Sequence, residues 1–194
     1  ARNAITDYTV HYRAFSREWN TFPYVTSTET TATVTCLTNG TAYEFRVAAI
    51  NIAGTGTNST TAVTTPRTVP GPVTDITGTP GNTEVAVEWT APADNGGAAI
   101  AGYTVEYSTS SEGPWTMHSA GVASTTSTVT GLTNGTAYYF RVTASNVAGD
   151  GASTVTTNST TPRTVAGAPT GLIANPGSTE VWLEWTVPTN DGGD

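Results

Sequence analysis

The sequence predicts an all-β chain of tandem antiparallel β-sandwiches, and three observations predict it. The first is an internal repeat. "CLTNGTAYEFRVAAINIAG" from Cys36 returns as "GLTNGTAYYFRVTASNVAG" from Gly131, and "PGNTEVAVEWTAP" from Pro80 returns as "PGSTEVWLEWTVP" from Pro176. Leu37 and Leu132 lie 95 residues apart and Trp89 and Trp185 lie 96 apart, so the 194 residues amount to about two periods. The second is composition: abundant Thr with Val, Tyr and Trp favours strands, and frequent Gly and Pro punctuate them. The third is periodicity. No window repeats apolar residues at i, i+3, i+4, i+7, so no helix is expected.

The strands follow in order through the complete copy. In "TEVAVEWTAP" Val85, Val87 and Trp89 face one way, and Glu84, Ala86 and Glu88 face the other. "DNGG" at Asp94–Gly97 is a loop, and "IAGYTVEYS" then places Tyr103, Val105 and Tyr107 on one face. "PWTMHSAG" is a shorter strand, and "TSTVTGL" carries Val129 and Leu132. "TAYYFRVTASN" aligns Tyr138, Phe140 and Val142, and "STVTTNSTTP" closes the copy. Short alternating strands divided by turn residues suit two packed sheets.

Together these stretches resemble fibronectin type III domains, which are immunoglobulin-like sandwiches. The carriers are the inward Trp89, "GYTVEY", "LTNGTAYYFRVTASN" and the closing "TTP". The resemblance extends over essentially the whole chain, and "APADNGGAAIAGYTVEY" is more similar to bacterial members than to animal ones. It implies tandem seven-stranded antiparallel β-sandwiches, one complete and two partial. The partial ones are the third to seventh strands within residues 1–66 and the first two strands within 167–194, and the complete one spans 67–166. It also implies a tyrosine corner, in which the hydroxyl of Tyr138, or of Tyr43 in the first copy, bonds back to nearby backbone. It further implies an extracellular or cell-surface protein of a bacterium.

Composition excludes several functions. The formal net charge is −8 and the seven basic residues are all scattered arginines, so no basic stripe offers itself to nucleic acid. No apolar run is long enough to span a bilayer. The only histidines, His11 and His118, assemble no nucleophile–base set and no zinc site with the single Cys36. No enzyme and no cofactor is expected. The arginine of the integrin-binding Arg-Gly-Asp found in some members has no counterpart in "VAGDGAS".

Four features are open to a functional reading. The loops at Asp94 and Asp191 offer carboxylates to calcium, although Asx turns beside glycine explain them as well. Asn39, Asn58, Asn134 and Asn158 are glycosylation sequons, two of them in Asn-Gly turns that backbone geometry favours anyway. Trp182 points outward where the complete copy has Ala86, either as a cover over neighbouring strands or as a contact for a glycan or a neighbouring domain. Prolines 66, 70 and 72 stiffen the link between copies.

The repeat frame produces the leading expectation. Ile5 aligns with Ile100 and Asp194 with Ala98, so the strands of 167–194 are those that 1–66 lacks. Val181, Leu183 and Trp185 need a partner sheet, and the core around Tyr43 needs the two missing strands. Each uncovered side chain forgoes about 1.5–3 kcal/mol. The expected partners are therefore neighbouring copies of the chain or adjacent repeats, meeting head to tail as a non-enzymatic rod or filament by covalent array or strand donation. The alternative is a spacer or a carbohydrate- or receptor-binding module of a larger secreted enzyme, adhesin or phage tail protein, with glycans as partners.

Overall fold

The computed structural model describes residues 4–23 and 25–193. They divide into two compact units, one within Ala1–Val69 plus Asp94–Ala99, the other within Pro70–Ala93 plus Ile100–Asp194. The described residues contain strands, turns and loops and no helix, as the missing helical periodicity implies.

The first unit holds β1 (Ile5–Ala14), β2 (Asn20–Thr21), β3 (Tyr43–Asn51), β4 (Gly54–Thr55) and β5 (Ala62–Thr64). They form a single antiparallel sheet in the order β2-β1-β3-β4, with β5 also on β3. Val10 opposes Val47 and Tyr12 opposes Phe45, so one face carries an apolar stripe. The other face carries His11 opposite Arg46 and Arg13 opposite Glu44.

The second unit contains a complete sandwich of β6 (Thr74–Pro80), β7 (Glu84–Thr90), β8 (Ile100–Ser108), β9 (Thr116–Val122), β10 (Thr126–Thr130), β11 (Tyr139–Asn146), β12 (Gly149–Asp150) and β13 (Thr154–Val155). One sheet runs β10-β7-β6. The other runs β12-β11-β8-β9, with β13 on β11. The alternation read from the sequence decides the core. Val85, Val87 and Trp89 of β7 meet Tyr103 and Val105 of β8 and Phe140 and Val142 of β11, and all are buried. Trp89 meets Tyr103 edge to face, with ring centres 5.3 Å apart. Burial pushes the Tyr103 hydroxyl above its ordinary value of 10.0.

The same unit ends in a hairpin of β14 (Thr170–Pro176) and β15 (Val181–Thr186), which pair only with each other. It repeats the β6–β7 pairing closely. Pro176 opposes Val181 as Pro80 opposes Val85, and both hairpins carry an irregularity near their outer end.

Residues 31–35 differ from the sequence reading. They match Thr126–Thr130, which form β10, yet they lie in no strand. The reason is pairing. The one sheet neighbour of β10 is β7, through Val129↔Val85 and Thr126↔Glu88. Among the described residues no β7-like strand lies beside 31–35, so their Thr and Val residues have no ladder to join.

Candidate self-assembly surface

The tyrosine corners form in both units. The Tyr138 hydroxyl accepts the Thr133 amide at 3.2 Å, and the Tyr43 hydroxyl accepts the Thr38 amide at 3.1 Å. Tyr43 is buried, with its ring 6.5 Å from Tyr12 and 6.4 Å from Phe45. Its corner needs no neighbour, because the hydrogen bond closes over five residues of the same turn.

The sheet beyond Tyr43 is open. Val47 is 37% exposed, whereas its counterpart Val142 is fully buried at 0%. Two adjoining grooves of about 240 and 480 Å³ share Val10, Ala32 and Val47, and the larger extends to Val34, Leu37 and Phe45. In the complete sandwich, the side chains over this same stripe come from β7.

The hairpin carries the complementary feature. Val181, Leu183 and Trp185 are 59%, 54% and 58% exposed, and their counterparts Val85, Val87 and Trp89 are 0%, 0% and 5% exposed. Trp182 is 67% exposed on the opposite face of β15, as the alternation implies. Every residue of β14 and β15 is exposed, so the hairpin presents both faces to solvent. Each of these inward-type side chains is exposed where its counterpart in the complete sandwich is covered by the opposite sheet.

Several side chains missed by the sequence reading close the outer sheet faces. In the second unit Arg141 makes a two-pronged pair with Glu106 at 2.7 and 2.8 Å, and its guanidinium lies 4.7 Å from the centre of the Trp115 ring. In the first unit Arg13 and Arg46 lie 4.4 and 4.1 Å from the Trp19 ring, and Arg13 bonds Glu44 at 2.5 Å. The signal was available, since Trp19 and Trp115 are 96 residues apart. His11 is half-buried, and its ring nitrogen lies 3.3 Å from the Thr21 hydroxyl.

The acidic loops bond to their own backbone. Asp94 Oδ1 accepts the Gly96 amide at 2.8 Å, and Asp191 Oδ1 accepts the Gly193 amide at 2.9 Å. Among the described residues no three His, Cys, Asp or Glu side chains gather as a metal-binding group; Asp194 lies outside the described residues. Of the sequons, Asn134 is engaged: its Oδ1 accepts the Thr83 amide and its Nδ2 donates to Asn82.

The model of the fibronectin type III domain matches residues 1–65 and 71–160. The chain belongs to the fibronectin type III family. Among the similar proteins of this family, human Myomesin-2 is 35% identical over 144 residues, 70% of this chain and 10% of the relative. Exoglucanase B of Cellulomonas fimi is 38% identical over 135 residues, 64% of this chain and 12% of the relative. This fibronectin type III chain thus spans about a tenth of the length of either relative. The solved FN1-FN3 domains of chicken CNTN1 align with 97% of this chain and 67% of that one, with a TM-score of 0.46 and 22% identity. No helix among the described residues is long and apolar enough to cross a membrane.

Proposed function

We propose that this fibronectin type III chain is a non-enzymatic structural repeat of an extracellular rod or filament, in which the β14–β15 hairpin of one copy covers the open sheet of the first unit of the next. One observation supports this most directly. The same chain contains, in β6–β7 over β8 and β11, a finished example of the contact that β14–β15 and the β1–β3 stripe leave unmade. Covering Val181, Leu183 and Trp185 recovers about 1.5–3 kcal/mol per side chain. It also supplies residues 31–35 with the ladder partner that β10 has in β7. A contact between unlike surfaces does not close on itself, so it propagates. Successive copies joined covalently, or separate chains joined by strand donation, both satisfy it.

Light scattering on the purified chain tests strand donation. Species rising in steps of the 20.0 kDa chain mass are expected, with Trp185→Asp returning a monomer. A folded native monomer at all concentrations would leave the covalent array alone. The exposed Trp182 and the likeness to Exoglucanase B favour a second reading, a spacer or glycan-binding module of a larger secreted enzyme. Retention on immobilised polysaccharide that is lost in Trp182→Ala would favour that reading.

A further inference from the structure

We infer that the Asx-Asx-Gly-Gly loop after β15 is a latch that fastens the β14–β15 hairpin to the Asn-Gly turn at Asn134–Gly135. The question it answers is what holds β14–β15, since none of their residues is buried in a core. In the second unit the loop after β15 reaches two places. The Thr164 amide donates to the Gly192 carbonyl at 2.8 Å and the Gly167 amide to the Asn190 carbonyl at 2.8 Å, tying the loop to the linker. Gly193 lies flat on the turn at Asn134–Gly135, where an added Cβ would stand 2.5 Å from the Gly135 nitrogen. At Gly192, an added Cβ would stand 2.2 Å from the Thr164 carbonyl oxygen. Both glycines have positive φ, +90° and +92°, so any side chain is excluded twice over, by space and by conformation.

The first unit contains the same arrangement, which makes it a device rather than an accident. The Thr68 amide donates to the Gly96 carbonyl at 2.8 Å, and an added Cβ on Gly97 would stand 2.3 Å from the Gly40 nitrogen. Asp94 and Asn95 accept the Gly96 and Gly97 amides at 2.8 and 2.9 Å, and Asn190 and Asp191 accept the Gly192 and Gly193 amides, both at 2.9 Å. Asp and Asn have exchanged places between the two loops. What both positions preserve is an acceptor oxygen, and the negative charge moves. The latch therefore needs the turn geometry and two bare glycines, and it needs no cation. Because it acts through backbone contacts, it holds the linker before β14 in one conformation.

The test uses the full chain with Cys36→Gly and spin labels at Glu88→Cys and Glu184→Cys, diluted in unlabelled chain. A narrow distance distribution is expected. Gly193→Val should lose it, and the Thr164 amide should exchange its hydrogen about tenfold faster. The urea midpoint of the complete sandwich should stay in place and report that the variant is folded. Asp191→Ala should loosen the latch, and Asp191→Asn should preserve it, because Asn95 fills that position in the first unit. Equal widths in native chain and Gly193→Val, with an unprotected Thr164 amide in both, would overturn the latch. Loosening by Asp191→Asn, with calcium chloride narrowing the distribution in the native chain and not in the variant, would replace it with a cation site.

Discussion

The hairpins β6–β7 and β14–β15 share sequence, turn and pairing, yet β7 lies at the centre of a core while β15 lies in solvent. Trp89 and Trp185 are equivalent residues, and what separates them is the second sheet. The same holds one layer up, since Thr126–Thr130 form a strand against β7 while residues 31–35, without such a neighbour, form none. The lesson is that a fibronectin type III sequence specifies a hairpin locally, whereas burial and the outer strands require the partner sheet.

The largest test of this comparison is Trp89→Ala against Trp185→Ala. The first should remove about 3–5 kcal/mol from the complete sandwich. The second should cost the unassembled chain under about 0.5 kcal/mol, as for an exposed surface change. Urea denaturation followed by circular dichroism reads both. Equal losses would mean that β15 is already covered.

Val142→Ala against Val47→Ala asks the same of the facing sheet. About 2 kcal/mol is expected for the buried Val142, and a clearly smaller loss for Val47, by the same measurement. If addition of a second copy raises the loss at Val47 towards that at Val142, the open stripe is the surface being covered.

Tyr138→Phe and Tyr43→Phe sharpen the comparison from the other side, because both corner hydrogen bonds form locally. Each should cost about 1 kcal/mol, in contrast to the unequal tryptophan pair. Thermal melts of the two variants decide this.

The smallest effect is expected at the outer face. Arg141→Lys retains charge but loses the two-pronged contact to Glu106 and the stacking on Trp115. About 0.5–1 kcal/mol should be lost, with little change on raising the salt to 0.5 M, roughly four times shorter in screening length than at 0.03 M. A loss that salt abolishes would make the contact a simple ion pair.

Much of this was legible in the sequence, and the reasons are specific. The inward set Val85, Val87, Trp89 and its partners Tyr103, Val105, Phe140 and Val142 could be read because a strand alternates with a period of two. The tyrosine corner followed from the Leu132-to-Tyr138 spacing, since its hydrogen bond spans only a turn. The Arg–Trp stacks were only half legible: Trp19 and Trp115 keep the 96-residue period, but Trp115 lies in the loop before β9 while Arg141 lies on β11, and the ion pair in the first unit uses Arg13 and Glu44 where the second uses Glu106 and Arg141. The latch was half legible: the Gly pairs and Asx residues signalled a tight turn, while its seat lay more than fifty residues away at Asn134.

By itself, the sequence determined what chemistry within a strand or a turn can decide: alternating faces, hairpins, corners and the 95–96-residue period that places them. Tertiary structure decided what depends on the far side of a side chain. It buried Trp89 and left Trp185 uncovered, made a strand of 126–130 and none of 31–35, and gave the glycine loops a surface to lie on. The physical reason is that backbone preference acts between neighbours in the chain, whereas burial and ladder pairing are properties of two segments at once.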